Sequence, residues 1–324
     1  MKIVVLDGYA ANPGEFSWEP LQSLGECIIY DRTPKDKTFE RAQNASVILT
    51  NKVVITREMI ENLPDLKYIG VLATGYNVVD VEAATEYGII ITNIPAYSTE
   101  SVAQMVFAHI LNITQRVGLH AYRVRNGKWT ESEDFCFWET PQQELYGKKI
   151  GIIGLGNTGS ATARIAQAFG MQVFAYTSKT QEQLPKGIEK MEIDELFKEC
   201  DIVSLHCPLT PSTKHMVNER RLNLMKESAI LINTGRGPLV EEQALADALN
   251  ARKIYAAGID VLTQEPPIVG NPLFKATNCF ITPHIAWATT SARQRLMNIA
   301  INNVKGYIEG KTGKEINCIN QQNE

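Results

Sequence analysis

The feature that most limits what this chain can fold into is the stretch Lys149-Ile150-Gly151-Ile152-Ile153-Gly154-Leu155-Gly156-Asn157-Thr158-Gly159. It reads as a buried strand, a tight glycine turn and then a helix from about Ser160 to Phe169. Ile150, Ile152 and Ile153 are the apolar strand before the turn. Ala161, Ile165, Ala166 and Phe169 fall on one helical face after it. A second strand, Gln172–Tyr176, follows at the spacing of a strand–helix–strand unit. Glycines spaced as Gly154-x-Gly156-x-x-Gly159 let a chain turn tightly, bring backbone against a pyrophosphate and pack helix on strand. The helix N-terminus then offers free N–H groups and a partial positive charge to phosphates. The stretch therefore predicts a dinucleotide site in a parallel α/β sheet.

The rest of the chain carries the same alternation. Before the glycine turn, short apolar runs at Lys2–Asp7, Cys27–Tyr30, Ser46–Thr50, Tyr68–Leu72 and Ile89–Thr92 are separated by polar, helix-compatible stretches. Within them, Leu72-Ala73-Thr74-Gly75-Tyr76-Asn77 closes a strand with small residues, either as a ligand loop at a strand's carboxyl end or as an ordinary turn. After the glycine turn come Gln172–Tyr176, Ile202–Leu205, Ile230–Asn233, Ala256–Asp260 and Cys279–Thr282, which predicts six strands in the second sheet. Val102, Val106, Ile110, Ile113 and Val117 predict one amphipathic helix from Ser101, connecting two domains. Residues 127–138 are dense in aromatics without periodicity and read as a loop packed on a neighbour or a partner. A last helix, from about Ser291 to Ile308, is expected to return to the first domain.

At 324 residues the chain suits two domains. Its net charge of −4 argues against a nucleic-acid footprint. No apolar run reaches the ~20 residues of a membrane helix, and the start reads as a first strand rather than a signal peptide. None of the six cysteines forms a CxxC pair, and the five histidines show no ligand spacing. Reduced thiols, a cytoplasmic location and no bound metal are the expectation.

Three chemically expensive residues follow predicted strands of the second sheet: Arg236 after Ile232–Gly235, Glu265 after Ile259–Gln264, and His284 after Ile281–Pro283. All three should lie at the edge where the dinucleotide is expected. A guanidinium grips a carboxylate in a fork, an imidazole passes a proton near neutral pH, and a neighbouring carboxylate stabilises the imidazolium. The set suits hydride transfer to a 2-keto acid.

Taken with His206–Thr210, Asn233–Gly237, Gly258–Val261 and Thr282–Trp287, these stretches make the chain resemble the D-isomer-specific 2-hydroxyacid dehydrogenases over essentially its full length. Asp134–Trp138 is similar to the glycerate dehydrogenase, or hydroxypyruvate reductase, branch. The resemblance implies a flavodoxin-like substrate domain of residues 1–100 plus 290–324. It implies an NAD(P)-binding Rossmann domain of residues 101–289, which includes the segment of a homodimer. Arg236, Glu265 and His284 would be catalytic. Ala73, Thr74, Gly75, Trp138 and Trp287 would meet a small 2-keto acid, with its carboxylate on the amides around Thr74 and Gly75, facing Arg236, and Trp138 coming from the partner. Gly154, Gly156, Asn157, Thr158, Gly159, Thr177, Ser178, Lys179, Cys207, Pro208, Thr213, Thr234, Asp260 and Ala286 would hold NAD(H) or NADP(H).

The chain departs from the family in two places. Ala175–Thr180 lacks the acid that often binds the adenosine ribose, which leaves NAD against NADP open, and Gln104 stands where many members have Glu. Phosphoglycerate dehydrogenase and a non-catalytic dinucleotide sensor are the alternatives on the same fold.

Overall fold

A computed structural model of the chain describes residues 1–320. The chain divides into two compact units, one built from Met1–Ser98 with the segment from Ala288 onward, the other from Thr99–Trp287.

The first unit holds five parallel strands: β1 (Lys2–Val5), β2 (Glu26–Ile29), β3 (Val47–Thr50), β4 (Tyr68–Val71) and β5 (Ile90–Thr92), in the order β2-β1-β3-β4-β5. Strands covered by helices on both faces read as unbroken apolar runs, and Ile3, Val4 and Val5 are fully buried. The helix Thr290–Ile308 packs on β4, where the Tyr307 and Tyr68 rings lie 4.9 Å apart. The chain beyond it bridges β5 through Thr92 and Cys318.

The second unit has seven parallel strands, one more than the sequence predicts: β6 (Lys149–Ile153), β7 (Gln172–Tyr176), β8 (Ile188–Lys190), β9 (Ile202–Leu205), β10 (Ile230–Asn233), β11 (Ala256–Ile259) and β12 (Cys279–Ile281). Their order is β12-β11-β10-β9-β6-β7-β8. The added strand β8 escapes a periodicity reading because it is three residues long, lies at the sheet edge and buries only Ile188.

Alternation sorts the side chains of this sheet into two cores. Ile150, Ile152, Ile202, Ile230, Ile232 and Ala256 join Val106, Phe107, Ile110 and Ile113 of the helix Thr99–Gln115 on one face. Ile153, Val203, Leu205, Leu231, Ala257 and Ile259 join Leu196, Phe197, Leu245 and Leu249 on the other. The helix Thr99–Gln115 is thus a core element of the second unit rather than a connector. It also stops short of Val117. Arg116 takes a left-handed φ of 49°, and a separate helix, Val117–Arg125, follows.

Candidate active site

The helix after the glycine turn runs Asn157–Ala168, one turn longer at its start than the sequence predicts. Asn157, Thr158 and Gly159 are its first residues, so their N–H groups are among those a helix leaves unpaired. Gly154 sits at φ 96°, a region that L side chains rarely adopt. A Cβ on Gly159 would lie 2.1 Å from the Gly154 carbonyl oxygen, so only glycine lets the helix close on the turn. A Cβ on Gly156 would meet nothing within 4 Å. The absent side chain there keeps the helix N-terminus open, as a phosphate group requires.

Around this turn the other expected cofactor residues are placed individually. The end of β9 packs on the turn, the Cys207 backbone nitrogen lying 2.7 Å from where a Gly154 Cβ would be. The Cys207 thiol faces the core, 3.5 Å from the Met216 sulfur. The Thr213 hydroxyl donates to the Pro208 carbonyl and so closes its own loop. The Thr234 hydroxyl is buried and has no hydrogen-bond partner among the described residues. The Thr177 hydroxyl accepts from the Lys179 amide, Ser178 is exposed, and the Lys179 ammonium donates to the Leu155 carbonyl at 2.9 Å.

Arg236, Glu265 and His284 follow β10, β11 and β12, three neighbours in one parallel sheet. All three lie at its carboxyl edge, across a width of about 10 Å at the usual strand spacing. Asn233 shapes the turn that presents Arg236. Its side chain accepts from the Gly235 amide and donates to the Arg236 carbonyl. The Arg236 side chain is exposed, with one N–H on the Gly235 carbonyl. Glu265 accepts from the Leu262 amide through Oε1 at 2.9 Å, and its Oε2 lies 2.5 Å from His284 Nδ1. That contact fixes the imidazole and leaves Nε2 as the outward nitrogen.

His284 itself has φ 53°, the left-handed region. Its amide donates to the carbonyls of Asp260 and Thr282. Asp260, 1% exposed, accepts from the Ile285 amide on one oxygen and from the buried Ala286 amide on the other. The resemblance assigns Asp260 and Ala286 to the cofactor; in the structure they also build the loop that carries His284. Trp287, half-buried, ends this unit.

In the first unit, the 73–75 turn after β4 is braced from residues 93 and 94. The Ala73 carbonyl accepts from the Ile94 amide, and the Thr74 carbonyl from Asn93 Nδ2. The Thr74 hydroxyl donates to the Ile94 carbonyl. The Thr74 and Gly75 amides donate to no group among the described residues. Trp138 stands in the second unit's aromatic loop and is 69% exposed.

Residues that sequence reasoning missed include Asn233 as the brace of Arg236, and Lys190, whose ammonium donates to the Lys179 carbonyl. His109 and Thr282, which reach Asp260 from behind, were also missed. Among the described residues no cluster of metal-ligating side chains occurs, and no helix is long and apolar enough to cross a membrane.

Comparison with known proteins agrees with this geometry. Residues 107–286 match the family described as D-isomer specific 2-hydroxyacid dehydrogenase, NAD binding domain. The chain is 48% identical over 321 residues to a hydroxypyruvate reductase of Blautia hydrogenotrophica, covering 98% of this chain and all of that one. It is 40% identical to a glycerate dehydrogenase of Methylorubrum extorquens over 86% of this chain and 87% of that one. Among solved structures, D-lactate dehydrogenase from Aquifex aeolicus complexed with NAD and lactic acid superposes with a TM-score of 0.83 at 32% identity, covering both chains fully. An acyclic imino acid reductase in complex with NADPH and D-Arg gives 0.84 at 32% identity, over 98% of this chain and all of that one. The open helix N-terminus, the glycine turn and the buried Thr234 hydroxyl suit NAD(H) or NADP(H). The chain belongs to the D-isomer specific 2-hydroxyacid dehydrogenases.

Proposed function

We propose that the chain reduces hydroxypyruvate, and with it glyoxylate, to D-glycerate and glycolate. The observation that carries this reading is the 2.5 Å pair of His284 and Glu265, which follow β12 and β11 in the sheet whose β10 precedes Arg236. The name of the 48% identical relative gives the substrate. A bound dihydronicotinamide supplies the hydride, two electrons to C2 of the keto acid. His284 delivers the proton from Nε2 to the carbonyl oxygen, so the ketone becomes a secondary alcohol and the imidazole is left neutral. Glu265 holds the other ring nitrogen and offsets the imidazolium charge before transfer. Arg236 takes the substrate carboxylate in a fork, and the Thr74 and Gly75 amides of the first unit, beside Ala73, are donors suited to a carboxylate.

On this reading the enzyme is a cytoplasmic homodimer, paired through the segment after Ser101. Burial pushes the thiols of Cys27, Cys200 and Cys279 up to about 11, 12 and 12, so they stay protonated, as suits a reducing compartment.

The test is a spectrophotometric assay with NADH and NADPH against a panel of 2-keto acids. Hydroxypyruvate should give the highest kcat/KM, and His284→Ala should lower kcat by roughly 10²–10⁴-fold. Near-normal turnover in that variant sinks the assignment of the proton donor.

A further inference from the structure

We infer that His109 is a positioning residue for the proton donor: through Thr282 and Asp260 it fixes the backbone that carries His284. The inference rests on the reading of His284 given above.

The chain of contacts is continuous. Asp260 Oδ1 accepts the Thr282 hydroxyl at 2.5 Å and the Ile285 amide at 3.0 Å, while Oδ2 accepts the Ala286 amide at 2.8 Å. A hydroxyl has one proton, and that of Thr282 is given to Asp260. The 3.1 Å contact between Thr282 Oγ and His109 Nε2 is therefore donated by the imidazole. This sets the ring as the Nε2–H tautomer. Burial lowers the proton affinity of His109, against the opposing charge of Asp260, which favours the neutral ring. Thr282 and the two amides donate to the carboxylate, and His109 donates to Thr282.

The helix that carries His109 comes close enough only because β11 has a glycine opposite it. A Cβ on Gly258 would lie 2.7 Å from the His109 Cβ. The same helix also holds the other end of the loop, since the Ser101 hydroxyl donates to the Ala286 carbonyl at 2.6 Å. One helix thus grips both ends of Thr282–Ala286. Between them lies His284 at φ 53°, a conformation that a non-glycine residue keeps only where the surroundings impose it. Without the Nε2–H the Thr282 hydroxyl loses its donor and can turn away from Asp260. The carboxylate then has one anchor fewer against the two amides that set the angle of His284.

The test compares His109→Leu, which keeps the bulk and loses the donor, with His109→Gln, whose amide N–H reaches the same place. His109→Leu should lose about tenfold in kcat, more than it loses in binding of NADH or NADPH, read by fluorescence titration. His109→Gln should recover most of that loss at a comparable Tm. Thr282→Val and Thr282→Ser form a second pair that should behave alike, which keeps the test valid where His109→Leu does not fold. In all four variants the ring resonances of His284, followed by NMR without substrate, should shift with Leu and Val and return with Gln and Ser. That signal reads positioning even where no 2-keto acid is turned over, so it separates failure here from failure of the functional reading. Wild-type kcat and His284 resonances in both Leu and Val variants would overturn the proposal. Gln and Ser variants as impaired as their partners would overturn it too.

Discussion

At the scale of single residues, the open question at this dinucleotide site is the adenosine end. Where an acid commonly meets the ribose hydroxyls, this chain has Thr177, Ser178 and Lys179. The Lys179 ammonium has three donors and gives one to Leu155, inside the glycine turn, so it is already held over the edge where the ribose is expected. Lys190 brings a second ammonium onto the Lys179 carbonyl, and Glu182, its carboxyl lowered chiefly by the Thr180 hydroxyl, is the acid beside Lys190. The enzyme should accept NADPH alongside NADH. By calorimetry, adenosine 2′,5′-bisphosphate should bind more tightly than 5′-AMP, and Lys179→Gln should reduce that difference by about tenfold or more, the worth of one charge-assisted hydrogen bond. A preference for NADH in kcat/KM above ~10³-fold, about 4 kcal/mol, would show that other contacts have replaced the missing acid. The lysine at 179 is legible in the sequence. Lys190 is not, because the strand that delivers it buries a single side chain.

At the scale of elements, what could be read beforehand was what burial writes into the chain. Strands covered on both faces are continuous apolar runs, and all eleven predicted from such runs fall on strands; Lys2–Asp7, Cys27–Tyr30, Tyr68–Leu72, Ala256–Asp260 and Cys279–Thr282 overrun the strand end by one or two residues, and the other six end with it. That is why Arg236, Glu265 and His284 were found together. The helix Val117–Arg125 buries no residue, so it has no apolar face to announce it. The support behind His284 was hidden for another reason: the contact of His109 with Thr282 joins positions 173 apart, and no local pattern encodes it. A second, half-buried histidine gives a measurable consequence. His206, at the end of β9, is held 2.9 Å from the Ser204 hydroxyl, and burial pushes its imidazole down to about 4. The unfolded chain, with histidine near 6.5, binds more protons between those two values. Stability should therefore be full above pH ~6.5 and fall as pH drops toward ~4, by up to about 3 kcal/mol from this group. His206→Gln should flatten the dependence, read as urea midpoints at pH 7.5 and pH 5. An equal fall in both proteins would assign the loss to other groups.

At the scale of the whole molecule, one segment of the second unit exposes several large apolar side chains. Val117, Tyr122, Trp129, Phe135, Trp138 and Tyr146 are all exposed within one segment, and Phe135 is 90% accessible. The loop that carries the last aromatics is nevertheless well held. Trp129 Nε1 donates to the Phe135 carbonyl, Lys128 pairs with Glu139, and the Glu139 amide donates to His120. A braced loop presenting aromatic side chains to solvent fits a surface that a second copy covers. In the dimer we propose, Trp138 of each protomer reaches the partner's substrate pocket, where its indole body limits the size of the keto acid and its N–H, a donor only, meets a substrate oxygen. Packing at the interface alone would also enrich tryptophan there, so the two roles have to be separated by experiment. Under the pocket role, Trp138→Ala should remain a dimer by sedimentation velocity, raise KM for hydroxypyruvate by roughly tenfold or more, and narrow the margin against bulkier 2-keto acids, since a lost wall and a lost donor each remove about 1–3 kcal/mol of discrimination. A variant that falls to monomers, or stays dimeric with its substrate ranking unchanged, would leave Trp138 as interface packing. The choice of hydroxypyruvate would then rest on the likeness to its reductases alone.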